Sequence, residues 1–138
     1  MLNISKGFTL IELLIVMAIL GMLAALVGPS LFRQLDAGRV NTASTQMSSI
    51  EVALDTYRLD LFKYPKSLEA LVKNTANSPK WEGSYLKKSV PKDPWGNEYQ
   101  YKKPGREGRA YDLYSFGADG RDGGEEIDAD IKSWEVNN

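Results

Sequence analysis

The residues best placed to do chemistry in this chain are carboxylates. Between Gly117 and Ile131 the sequence runs GADGRDGGEEIDADI, which gathers six of the 18 acidic side chains (Asp119, Asp122, Glu125, Glu126, Asp128 and Asp130) against a single base, Arg121. Crowded carboxylates repel one another, and a hard cation relieves that repulsion. Ca²⁺ accepts about six to eight oxygen ligands in flexible geometry, whereas Mg²⁺ demands a stricter octahedron and keeps its waters. Four glycines in the stretch let the backbone turn its carbonyls inward. The same residues also read as a solvated acidic loop, as charge runs usually do. Both readings stay open on these residues alone. Asp119 to Asp130 has the length of an EF-hand loop, but Arg121 falls at its third position, Asp rather than Glu at its twelfth, and no helix is predicted to enter it. Gly123–Asp128 resembles a calcium β-roll repeat but occurs once, and such rolls need stacked copies.

The chain contains no cysteine and no histidine. That removes disulfides, Cys/His zinc sites, thiolate nucleophiles and every relay built on imidazole. Asp128 and Asp130 are the nearest thing to a hydrolytic carboxylate pair, but residues two apart on a loop make a poor acid–base couple. No nucleophile–base pair accompanies them, so no enzymatic activity is expected.

One further ionisable residue is unusual, because Glu12 stands at the head of an apolar run. Leu13–Phe32 is twenty residues without a charge, and a helix of that length spans about 30 Å, the thickness of a bilayer's hydrocarbon core. A chain of 138 residues cannot enclose such a helix on all sides. A cleaved secretory signal fits poorly too, since Leu26-Val27-Gly28-Pro29-Ser30 lacks a good small-residue cleavage site. The segment is therefore expected to stay as a membrane anchor. Glu12 at its start sits where the helix dipole favours a carboxylate, yet an ionisable group near the apolar phase calls for a partner. Gly28 and Pro29 weaken the far end of the helix, predicting a kink or a melted turn there.

After Arg33 the pattern becomes amphipathic. Val40, Ala43, Met47, Ile50, Leu54, Tyr57 and Leu61 recur at steps of three and four, so they form one stripe for a core. Residues 8–62 thus read as one long helix, stopped by Pro65. A short helix is predicted over Ser67–Asn74, with Ser67 as N-cap and Leu68, Leu71 and Val72 inward. Asp93-Pro94-Trp95-Gly96-Asn97 reads as a tight turn. Strands over Glu98–Lys102 and Ala110–Ser115, joined through Pro104–Gly108, form an antiparallel pair to cover the stripe. The fold class is α+β: a long N-terminal helix, transmembrane then amphipathic, packed on a small antiparallel sheet. The domain plan is a leader at 1–7, a membrane helix at 8–32 and a globular head at 33–138.

Gly7-Phe8-Thr9-Leu10-Ile11-Glu12 followed by an apolar helix resembles the class III signal of type IV pilins and pseudopilins. The resemblance implies cleavage between Gly7 and Phe8 by a prepilin peptidase, N-methylation of Phe8, and a Glu12 that pairs with a Phe8 amine. Pro29 lies where pilins of this type often carry a proline. Tyr64-Pro65, Asp93-Pro94-Trp95-Gly96-Asn97, Tyr111-Asp112-Leu113 and the acidic loop with Trp134 behind it are similar to the major pseudopilin of type II secretion. That likeness runs from Gly7 to Trp134. It implies one Ca²⁺ in the loop, held by Asp119, Asp130 and Asp128 with main-chain carbonyls such as that of Phe116.

The function implied is that of a structural subunit stacked through its N-terminal helix into a periplasmic pseudopilus that drives folded proteins across the outer membrane. Its expected partners are further copies of itself in a helical homopolymer, prepilin peptidase, other pseudopilins, the inner-membrane assembly platform and the inner membrane. Calcium is the expected cofactor. The alternative is a type IV pilin or DNA-uptake pseudopilin, which shares the helix but not the turn-plus-acidic-loop combination. A formal charge of −1 offers no basic field for nucleic acid. The mean hydropathy of −0.33 averages a greasy helix with a polar head.

Overall fold

The computed structural model describes Met1 and residues 6–135. Helix α1 runs from Leu10 to Leu61, a 3₁₀ turn covers Leu68–Leu71, and strands β1 (Gln100–Lys102) and β2 (Asp112–Ser115) follow. A second 3₁₀ turn at Glu126–Asp128 leads into β3 (Ile131–Lys132). The chain divides into two compact units, Met1–Asp36 and Ala37–Asn138.

In the first unit the apolar window of α1 is not buried. Its apolar side chains are exposed on every side, and its length and composition suffice to cross a membrane. The predicted melted turn at Pro29 is absent, since helix continues through it. Proline withdraws one N–H, leaving only the Ala25 carbonyl without its usual donor. Ser30 Oγ donates to the Val27 carbonyl at 2.9 Å in the same turn. The helix also begins at Leu10 rather than Phe8, because Thr9 caps it.

In the second unit the predicted stripe does form the core. Ala43, Met47, Ile50, Leu54, Tyr57 and Leu61, joined by Ala53, pack against Leu68, Ala70, Leu71, Tyr99, Leu113 and Ile131. Burial of a side chain such as Ile50 or Leu54 stabilises the unit by about 1.5–3 kcal/mol. The helix ends at Leu61 because Phe62 takes a left-handed conformation (φ 61°), and Pro65 bars extension beyond Tyr64. Tyr64 folds back on the helix, its hydroxyl donating to Asp55 Oδ1 at 2.9 Å.

Three expectations about the rest of this unit need correction. The helix predicted over Ser67–Asn74 is a single 3₁₀ turn. Ser67 is its N-cap residue but makes no side-chain cap, Leu68 and Leu71 are buried, and Val72 is only half-buried. A segment this short, without a cap bond, does not propagate an α-helix. Both predicted strands are shorter than their apolar patterns. β1 and β2 pair antiparallel with Gln100 opposite Tyr114 and Lys102 opposite Asp112, while Glu98 is drawn instead into an isolated bridge with Lys92. The third correction is β3, which pairs with β2 through Tyr114–Lys132 and Ser115–Ile131, giving the sheet order β1-β2-β3. It makes β2 the central strand, and all four β2 residues are buried instead of alternating.

Candidate functional site

Two regions carry the ionisable groups singled out by the sequence, one in each unit. At the start of α1 the backbone over residues 6–9 is non-helical and exposed, so the Gly7–Phe8 bond lies in accessible chain just before the helix. Thr9 is the cap. Its Oγ1 accepts from the Glu12 amide at 3.3 Å, while Glu12 Oε2 accepts from the Thr9 amide at 2.9 Å and from Thr9 Oγ1 at 3.0 Å. This reciprocal capping box satisfies two orphan donors and fixes the first helical turn. The Thr-x-x-Glu spacing was legible in Thr9-Leu10-Ile11-Glu12, and it places the helix start beyond Phe8. In this uncut chain Glu12 therefore bonds Thr9, the residue that follows Phe8.

The second region is the loop between β2 and β3. The Ser115–Ile131 pairing brings its two ends together, so Phe116 and Asp130 flank the last rung of the ladder from opposite strands. Inside the loop Ala118 N donates to the Ile127 carbonyl at 3.0 Å, and Asp128 N to Glu125 at 3.0 Å. Gly117 has φ 72°, and a Cβ there would fall 2.7 Å from the Ala129 carbonyl oxygen and 2.9 Å from that of Ile127. Glycine at this position is what lets the main-chain oxygens of Ile127 and Ala129 close on the loop entrance. Glu126 also has positive φ, at 54°.

The structure distributes the predicted ligands unevenly. Asp119 is exposed, with Oδ1 accepting from the Arg121 amide at 3.0 Å. Asp130 is half-buried, and both of its oxygens lie 3.2 Å from the Gly123 amide. Burial, reinforced by the Asp122 carboxyl beside it, holds the Asp130 carboxyl above the usual carboxylate range despite that amide. Asp128 is half-buried in the second 3₁₀ turn, and the half-buried Phe116 ring packs edge-on against Tyr114. Among the described residues no three carboxylates are gathered around one point. The donors nonetheless suit a hard cation in kind: they are all oxygen, two carboxyls stand together at Asp122 and Asp130, and glycine brings main-chain carbonyls alongside.

Residues outside the acidic run position this loop, and beyond the expected Asp93–Asn97 turn no local spacing points to them. Asp93 Oδ1 accepts from the amides of Trp95 (3.1 Å) and Asn97 (2.8 Å), closing the DPWGN turn, in which Gly96 has φ 88°. Asp93 Oδ2 accepts from Ser115 Oγ, and Ser115 Oγ in turn accepts from the Gly117 amide at 3.2 Å. Asn97 Nδ2 donates to the Gly117 carbonyl at 3.4 Å. On the other side Arg109 pairs with buried Asp112 at 2.8 Å and lies 4.2 Å from the ring centre of Trp134. That stack fastens the segment after β3 to the sheet.

An apolar helix long enough to span a bilayer, a capped start just beyond an accessible Gly–Phe bond, and a head built on the same helix and a small antiparallel sheet define a pilin-like subunit. The comparisons narrow the class. A family model described as the prokaryotic N-terminal methylation motif matches residues 2–28, and one described as type II secretion system protein G matches residues 30–134. The type II secretion system core protein G of Pseudomonas aeruginosa is 50% identical over 137 residues, covering 94% of this chain and 95% of that protein. Its counterpart in Vibrio cholerae is 45% identical, covering 94% and 92%. The crystal structure of the major pseudopilin from the type 2 secretion system of enterohaemorrhagic Escherichia coli matches with a TM-score of 0.63 at 31% identity, covering 78% of this chain and 96% of that one. The chain belongs to the type II secretion system protein G family. It is a structural pseudopilin of that system.

Proposed function

We propose that the chain is inserted in the inner membrane by α1 with its head in the periplasm, is cut between Gly7 and Phe8 by a prepilin peptidase, and is methylated at Phe8. It then stacks with its copies into a pseudopilus alongside other pseudopilins and the inner-membrane assembly platform, and it catalyses no reaction of its own. The observation that carries this reading is the exposed apolar half of α1. Once out of lipid, those side chains must be buried against neighbouring helices, and that requirement drives polymerisation. Cleavage creates an ammonium at Phe8 beside the Glu12 carboxylate, so Glu12 of an incoming subunit neutralises the Phe8 amine of its neighbour and sets axial register. The Thr9 cap keeps that carboxylate at the helix mouth beforehand.

Calcium belongs to the same reading. One Ca²⁺ is held by Asp119, Asp128 and Asp130 with the Phe116 carbonyl, offsets the charge of the acidic loop and stiffens it over the sheet. The oxygen-only donors and the close approach of the Ile127 and Ala129 carbonyls to Gly117 support it.

N-terminal analysis of protein extracted from membranes tests the processing step. The expected first residue is methylated Phe8, and a chain that retains Met1 or begins near Ser30 would refute it.

A further inference from the structure

A formal charge of −1 conceals a sharp segregation of charge along the chain. Residues 63–109 carry eleven Lys and Arg against five Asp and Glu, whereas residues 110–138 carry two against eight. Like charges crowded on one surface repel, and a complementary surface outside the subunit relieves that repulsion.

The fold of the second unit turns this segregation into a separation in space. Five cations form a collar where α1 ends. The Lys80 ammonium lies 4.8 Å from the ring centre of Phe62, and the Arg58 guanidinium 5.0 Å from that of Tyr64. Lys103 Nζ donates to the Tyr64 carbonyl at 2.6 Å, and Lys63 and Lys66 are exposed in the same segment. Asp55, Asp60 and Glu82 stand beside them, but Asp55 and Asp60 already accept from the hydroxyls of Tyr64 (2.9 Å) and Tyr85 (2.8 Å). The acidic loop lies at the opposite end of the head. Tyr99, just before β1, donates to the Ala43 carbonyl at 3.4 Å, while Tyr101 within β1 donates to the Pro65 carbonyl at 2.9 Å. β1 therefore runs from the Ala43 end towards the collar. β2 is antiparallel to it, so it delivers Phe116 and the loop back towards Ala43. Between Ala43 and Leu61 the helix rises about 27 Å.

A cationic collar at one end and an acidic loop at the other form a heterologous pair. A second copy displaced along the head's helix brings its loop to the collar of the first, and the contact repeats without closing. The polymer of the proposed function needs a contact of this open kind, since one that closed a pair would end its growth. The loop also keeps charge for a neighbour when Ca²⁺ is bound. Its six carboxylates and Arg121 leave a surplus of five negative charges, and a divalent ion offsets only two. Glu125 and Glu126 are exposed and lie outside the proposed ligand set. We infer that Lys63 and Lys66 of each subunit pair with Glu125 and Glu126 of a second copy, as a head-to-tail contact of the polymer.

The inference rests on the pseudopilus reading, and its test separates the two. The full-length chain is expressed with a prepilin peptidase and an assembly platform, and the assembled, shearable fraction is measured. Reversal at the collar (Lys63→Glu with Lys66→Glu) is expected to lower assembly at least tenfold. Reversal at the loop (Glu125→Lys with Glu126→Lys) is expected to do the same, since each sets like charges face to face. All four side chains are exposed, so the melting temperature of the extracted subunit should not move. Both reversals in one chain are expected to restore assembly to within twofold of wild type. A folding defect in either reversal would persist in the combined chain, so recovery is specific to the contact. A combined chain that assembles no better than the separate reversals, or a reversal that assembles at the wild-type level, overturns it.

Because the chain has no cysteine, a mixture of K66C and E125C chains reports the pairing directly. A disulfide joining the two variants is expected on oxidation of the filaments. Pairing of K66C with itself, or no crosslink within filaments that still form, refutes the collar as the docking place. Failure of the wild-type chain to assemble refutes the pseudopilus reading instead.

Discussion

Asp93 Oδ2 accepts a hydrogen bond from Ser115 Oγ at 2.6 Å across 22 residues of sequence, and both residues are buried. The bond ties the DPWGN turn to the last residue of β2, where the acidic loop begins. Ser115 Oγ is also the acceptor for the Gly117 amide, so one hydroxyl holds the turn and the loop entrance together. Ser115→Ala is expected to cost about 1–3 kcal/mol, because it leaves a buried carboxylate oxygen and an amide short of a partner. Urea unfolding of the head should show the lowered midpoint with an unchanged slope.

Gly117→Ala tests how tightly that entrance is closed. The new methyl meets the Ala129 carbonyl oxygen at 2.7 Å, and the backbone has φ 72°. Strain and clash act together, for an expected loss above about 2 kcal/mol. Gly123→Ala, equally left-handed but with open space around it, should cost about half as much. Equal losses from the two substitutions would show that the close approach at Gly117 has no weight.

Stability should fall in acid through Asp112. Burial alone pushes its carboxyl up, but the Arg109 guanidinium and the Arg106 amide outweigh it and hold the carboxyl below the usual range. A folded-state value lower than the unfolded one, about 3.9, gives stability that is complete above roughly pH 4 and is lost as pH falls through the folded value. Asp112→Asn should flatten that part of the profile. Arg109→Met should cost about 3 kcal/mol at neutral pH by stranding the carboxylate, and should free the Trp134 ring as well. Thermal melts between pH 2 and 7 measure all three.

The calcium proposal predicts a melt that depends on the ion. At a hundredfold excess over its dissociation constant, Ca²⁺ should stabilise the head by about 2.7 kcal/mol, and a chelator should remove that gain. Asp119→Ala and Asp130→Ala should abolish the response, whereas Glu125→Ala should keep it. A melt indifferent to Ca²⁺ in the wild-type chain returns the loop to an ordinary solvated acidic surface.

The two halves of α1 could be read directly from the residues. Leu13–Phe32 carries no charge, and the stripe from Val40 to Leu61 repeats at helical spacing, so local periodicity alone decides which surface is greasy all round and which is one-sided. The Gly7–Phe8 junction and the crowding of carboxylates after Gly117 are equally local, and each was visible as a short motif; the Thr-x-x-Glu cap is as local, but the expectation of helix from residue 8 passed over it. The strand ends and β3 were not. Two residues, Ile131 and Lys132, carry no pattern, and they form a strand only because β2 offers them a free edge.

Tertiary structure also decided which polar residues matter around the loop. Asp93 and Ser115, or Arg109 and Trp134, are 22 and 25 positions apart and obey no spacing rule; folding the chain over the α1 core brings each pair together. Nor did composition separate Asp119, exposed on an amide of its own loop, from Asp130, half-buried beside Asp122. A sequence records which donors a loop contains. Their distances and burial depend on where the β2–β3 ladder closes it, and that is set by long-range pairing and packing, which no local window contains.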